Sequence, residues 1–240
     1  MIYQWDFRFL LNFVPGLLKG LGVTLYISVL SIFLGTILGI LIALAQKSKS
    51  IILRGLALVY INVFLSLPVL VLLVWFYYCL PVLIPLKLSS QTTAIFTLTL
   101  SLGGFIADIV RGGIDSLPQG QLESALILGI PRSVAMKRIM LPQAIRVMVP
   151  AILGQYVTCI KLSSLASIIA VYELVHTANS INLHSFRPLE TYTIVALLYF
   201  IIIWPLIVLM RYLEDKYLIK RTHKGYEKDI SKRYFRWRNA

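Results

Sequence analysis

The chain has 240 residues, 58% hydrophobic and only 14% charged, with a formal net charge of +13 and a mean hydropathy of +0.82. Soluble domains hold roughly 45–50% apolar residues, so this composition excludes an ordinary soluble protein. The 23 Lys and Arg residues are read as markers of cytoplasmic loops, not as a nucleic-acid surface.

Residues 1–15 are amphipathic and aromatic-rich, with Tyr3, Trp5, Phe7, Phe9 and Phe13 beside Asp6 and Arg8. Such rings favour the membrane–water boundary, so an interfacial segment is expected there, not a cleavable signal peptide. A first span is expected over about residues 17–45, where Lys19 and Lys47 bracket 27 uncharged residues; a crossing needs about 20. Gly35 and Gly39 form a GxxxG pair, read as close helix packing within the bundle. Lys47, Lys49 and Arg54 make a short basic loop. The second span covers about residues 56–80, kinked at Pro68, which has no N–H to donate, and ended by Pro81 and Pro85. A third runs over about 89–110 with Asp108 near its end, a fourth over about 147–171 with Lys161 inside it, and a fifth over 192–210. A polar loop before the fifth carries Glu173, His176, His184, Arg187 and Glu190; the histidines lack metal spacing and are read as loop polar residues. Cys79 and Cys159 lie in apolar segments and are read as packing residues. The expected fold class is therefore all-α, a polytopic membrane protein with about five transmembrane helices.

Lys and Arg counts set the orientation. With the N-terminus outside, the cytoplasmic segments 46–55, 111–146 and 211–240 hold 3, 5 and 10 basic residues, against four outside. The C-terminus is then cytoplasmic. The tail, 213–240, places Lys232, Arg233, Arg236 and Arg238 among Tyr234, Phe235 and Trp237, a pattern suited to anionic membrane lipid rather than nucleic acid.

The ordered insert between the third and fourth spans is the informative stretch. Ser116 with Gln119 fits a capping box, and Pro118 suits a first turn. Leu122, Ala125, Leu126 and Gly129 share one helical face, and Gly129 can take the positive φ that ends a helix. Glu123 suits the first helix's N-terminal dipole. Pro131 opens a second helix carrying Arg132, Lys137 and Arg138, which Leu141-Pro142 is expected to end. From the residues alone this is either a cytoplasmic knob with a soluble partner or a loop of interfacial helices without one.

Glu123-Ser124-Ala125, then Gly129, Ile139 and Leu141-Pro142, resembles the EAA loop of binding-protein-dependent ABC importer permeases, with Ser124 in place of an alanine. Arg111-Gly112-Gly113-Ile114, Pro118-Gln119-Gly120-Gln121, Leu141-Pro142-Gln143-Ala144 and Phe186-Arg187-Pro188 resemble the polar-amino-acid branch of that family. The resemblance implies the type I importer permease fold over residues 16–212, with a coupling helix in loop 116–142. It implies a multi-pass protein of the bacterial cytoplasmic (inner) membrane, and it gives Glu123, Ser124, Ala125, Gly129, Ile139, Leu141 and Pro142 to ATPase coupling. The implied partners are a separate ATP-binding cassette ATPase, a second permease subunit (identical or homologous) and an extracytoplasmic substrate-binding protein. No G-x-x-x-x-G-K-[ST] loop is present, so the chain is not itself expected to hydrolyse ATP or to bind a cofactor. A channel or secondary transporter gated by the knob, or a docking scaffold, are the other readings of the same pattern.

Charges inside spans are costly and functional candidates by default. Asp108, Lys161, Ser163, Ser164 and Ser66 are the candidates for the substrate path. Asp108 also suits an interfacial pair with Arg111, and Lys161 a snorkelling role. The family pattern is departed from at Phe64-Leu65-Ser66-Leu67-Pro68 and at Ile160-Lys161-Leu162-Ser163-Ser164-Leu165, where Leu162 stands at an acidic position. That departure bears on a basic-amino-acid substrate and on whether this half carries a substrate site at all.

Overall fold

The computed structural model describes residues 4–84 and 87–216. Most of the basic tail lies outside the described residues. Within them the chain is helical, with no strand. Four of the described helices are long and apolar enough to cross a membrane, and one bent pair makes up to five.

The first helix, α1, spans Val14–Gln46 and follows a 3-10 lead-in at Arg8–Phe13, so the chain is helical from Arg8 onward. Its small residues are contact points. A Cβ at Gly39 would lie 2.6 Å from Ile106 Cβ, and one at Gly35 3.0 Å from Leu102 Cδ2. Both partners belong to α4, Ser90–Asp115. The GxxxG pair is thus a packing groove inside the chain, as expected.

The second span departs from a simple kink. Helix α2, Ile51–Ser66, and α3, Val69–Leu83, meet at 105° across Leu67-Pro68. The physical cause is local. Leu67 precedes proline and is extended, with φ −92° and ψ 132°, because the α region clashes with the ring that follows. Pro68 then caps α3 in an extended conformation, with ψ 133°.

The insert begins with α5, Gln119–Ile127, whose N-cap is Pro118 and not Ser116. The Ser116 hydroxyl turns back to donate to Gly113 O at 2.9 Å, so the expected capping box does not form. The second helix also differs from expectation. It does not stop at Leu141-Pro142 but continues as one helix, α6, Arg132–Ile169. A π-turn at Met136–Met140 lets the Leu141 N–H reach Met136 O, and the widened turn accommodates the Pro142 ring. Leu80-Pro81 repeats the device behind a π-turn at Trp75–Cys79, where the Leu80 N–H reaches Trp75 O.

The polar loop after the fourth span is a helix, α7, Leu174–Ser185. The last helix, α8, is Pro188–Glu214. By packing the chain divides into two compact units, Met1–Arg111 with Gln155–Trp204, and Gly112–Gly154 with Pro205–Ala240. Cys159 is buried, as a packing residue should be, whereas Cys79 is exposed.

Candidate functional site

Two features in separate units carry functional geometry, the insert and a cleft beside the broken span. In the insert, α5 ends in a Schellman turn. Gly129 takes φ +74°, the Ile130 N–H donates to Ala125 O at 2.9 Å, and the Gly129 N–H donates to Leu126 O at 3.0 Å. This satisfies carbonyls that the helix end would leave orphaned. The turn presents Ile127 and Leu128 to solvent, 86% and 78% exposed. Ala125 is buried on the opposite side, as is Ala135 at the start of α6. The pair of helices is also clasped by amides. Gln143 Nε2 donates to Gln121 Oε1 at 2.8 Å and to Ile139 O at 2.9 Å.

Glu123, Ser124, Leu141 and Pro142 are exposed, and Ile139 is half-buried. They cluster along the hairpin with Gly129 at its turn. Gln121 and Gln143 were not singled out by the sequence for this contact. The signal that could have found them is a glutamine on each helix at positions the hairpin turn brings face to face.

The candidates for the substrate path separate. Asp108 pairs with Arg111, Oδ1 to Nη2 at 2.7 Å, the interfacial reading of that residue. Lys161 is exposed. The Ser163 hydroxyl donates to Ile160 O at 2.8 Å and that of Ser164 to Lys161 O at 2.7 Å, so both serve their own helix end. Ser66 alone of the five lines the cleft, a cavity of about 310 Å³. The break in the second span supplies one wall, from Leu65 to Val69. Leu98, Ser101, Leu102 and Phe105 of α4 supply the floor, and Gln155, Thr158, Cys159 and Leu162 of α6 the third side. The volume is at the lower end for small-ligand sites, about 300–1,000 Å³.

A third feature escaped the sequence. Glu173, fully buried, caps α7. Its Oε1 accepts the His176 N–H at 2.7 Å, and its Oε2 accepts the Val175 N–H at 3.0 Å and the Tyr199 hydroxyl at 3.3 Å. Burial pushes its carboxyl above the usual carboxylate range, and the two amide donors oppose that shift. Gly20 makes the approach possible, since a Cβ there would lie 3.1 Å from Glu173 O. Glu190 is also fully buried. It accepts the Asp6 N–H and an Arg187 N–H, each at 3.1 Å, and so ties the N-terminal segment to the start of α8. The histidines do not meet: His176 stacks edge-on with Tyr172, and His184 Nδ1 lies 2.7 Å from Ser180 O.

Helices able to cross a membrane, a broken span with a small cleft at the break, and a hairpin with an apolar tip fit a membrane transport subunit. The chain belongs to the family described as the binding-protein-dependent transport system inner membrane component, whose pattern matches residues 35–219. It is 37% identical to a probable amino-acid ABC transporter permease, YckA, of Bacillus subtilis, over 89% of this chain and 96% of that one. It is 34% identical to the glutamine transport system permease GlnP of Escherichia coli K12, over 89% and 98%. Among solved structures it is similar to an amino acid ABC transporter crystallised with histidines, at 28% identity and TM-score 0.83, covering 89% of this chain and all of that one. An inward-facing methionine transporter, MetNI, shares the fold at 21% identity and TM-score 0.65.

Proposed function

We infer that this permease subunit imports amino acids, driven by ATP that a separate ATP-binding cassette subunit hydrolyses. A second permease, identical or homologous, completes the pathway, and an extracytoplasmic binding protein delivers the substrate. The N-terminus lies outside and the insert is cytoplasmic, which the Lys and Arg distribution supports. The observation that carries this reading is the hairpin tip. Ile127 and Leu128, largely exposed beside the fixed turn at Gly129, offer an apolar knob that a groove in an ATPase would bury. Closing the ATPases then favours one arrangement of the spans over another, because nucleotide binds the two states unequally.

Gly129→Asp tests this. A side chain at φ +74° strains the turn, and a carboxylate at the tip is costly to bury. The variant is expected to insert normally, to lose co-purification with its ATPase, and to lose uptake. Normal uptake by Gly129→Asp sinks the coupling role, and uptake that survives without any ATPase favours a channel or secondary transporter.

A further inference from the structure

We propose that the cleft at the broken span selects amino acids with uncharged side chains and excludes both cationic and anionic ones. This deepens the amino-acid permease reading and rests on it. Every amino acid brings the same ammonium and carboxylate, so the side chain is what the lining distinguishes.

Among the described residues, none that lines the cleft is acidic or basic. The two in-span charges of the sequence lie elsewhere: Asp108 is paired with Arg111, and Lys161, although adjacent to Leu162, is not part of the lining. A charged side chain entering here meets no counter-charge. Polar groups are nonetheless present where a neutral side chain would end. Ser101 is 3% exposed, lines the cleft, and its hydroxyl makes no hydrogen bond among the described residues. Serines in helices commonly donate back to the preceding turn; Ser101 makes no such bond among the described residues, which leaves its hydroxyl to an occupant of the cleft it lines. The Gln155 side chain likewise has no hydrogen bond among the described residues, and its amide both donates and accepts. Around these two groups Leu98, Leu102, Phe105 and Leu162 are apolar. The rim at Leu65 to Pro68 is exposed, so the zwitterionic end stays at the open side while the side chain points inward.

The test is protection from alkylation in the full-length permease, with whatever subunits co-purify, in lipid nanodiscs. Ser66→Cys at the rim, in a Cys79→Ser, Cys159→Ala background because Cys159 also lines the cleft, is labelled with a maleimide in the presence of L-glutamine, L-arginine or L-glutamate. Glutamine is expected to slow labelling. Arginine and glutamate are expected to need concentrations about a hundred-fold higher, the factor to which the insertion cost of one charge corresponds. Adding Leu162→Asp brings arginine into glutamine's range, while Ser101→Ala, the milder change, weakens glutamine protection. The inference is overturned if arginine or glutamate protects as well as glutamine. It also falls if Ser101→Ala changes nothing, or if Leu162→Asp leaves arginine unaffected although its melting temperature matches the parent. If none of the three protects, the cleft is no substrate site. Cellular uptake and its loss in Gly129→Asp then still judge the permease reading separately.

Discussion

Glu173 carries the sharpest consequence at the scale of single residues. It is a buried carboxylate whose two oxygens hold the Val175 and His176 amides in the first turn of α7, a helix N-cap made by a residue type better known for the first turn. Its carboxyl is raised by burial, so its contribution to stability is fully present below the unfolded value and is lost as pH rises through the folded one. Glu173→Gln keeps an oxygen acceptor and removes the charge. Thermal melting in detergent is therefore expected to lose part of its decline with rising pH. Glu173→Ala removes the cap and is expected to cost about 0.5–2 kcal/mol at low pH and less as pH rises. Gly129 is the opposite kind of position. A Cβ there would meet nothing within 4 Å, so only its φ of +74° argues for glycine. Ala costs about 1–2 kcal/mol there, and Asn less, which melting curves of the two variants will separate. The positive φ was legible from Gly129-Ile130-Pro131 in the sequence, whereas the Glu173 cap was not. Nothing in the order of residues shows that Tyr199 and Thr24 come to the same place.

At the scale of elements, the two Leu-Pro pairs mislead when read as stops. Proline interrupts an ordinary α-helix because its ring strikes the carbonyl four residues back, and a π-turn immediately before it removes that clash. The hairpin of α5 and α6 is consequently continuous with a long helix, and the Gln121–Gln143 amide pair clasps its two arms together. Gln143→Leu is expected to change melting by little, since a net hydrogen bond is worth about 1 kcal/mol. On the proposed coupling role it should nevertheless raise the ATP hydrolysed per substrate imported, because a bond that joins the two arms of the hairpin is lost. An unchanged ratio counts against that role. Helix α1 makes a different demand on α4. Gly39→Leu places side-chain atoms where Ile106 and Gly103 O already stand. A loss of about 1–3 kcal/mol is expected from overpacking, read as a lower melting temperature in detergent.

For the whole molecule, orientation is the property that charge counting supports and that labelling can test. In a Cys79→Ser background, Leu183→Cys on α7 is expected to react with an impermeant maleimide in intact cells, and Ile127→Cys only after the membrane is opened. Both positions are strongly exposed, at 75% and 86%, so access to the reagent and not burial sets the outcome. Length, the count of spans and the presence of an ordered insert were written in the sequence alone. Hydrocarbon thickness demands about 20 apolar residues per crossing, and the helix-ending glycine at 129 is a local backbone requirement. Each of these acts over a few neighbouring residues, so composition and spacing carry them. What only the tertiary structure decided is long-range. The 105° break turns a kinked span into one wall of a cleft. Ser66 comes to share that cleft with Ser101 and Gln155, and Ser163, Ser164 and Asp108 go to other partners. Residues far apart in the chain meet there by helix packing, and a one-dimensional pattern records which residues are small or polar but not which of them share a cavity.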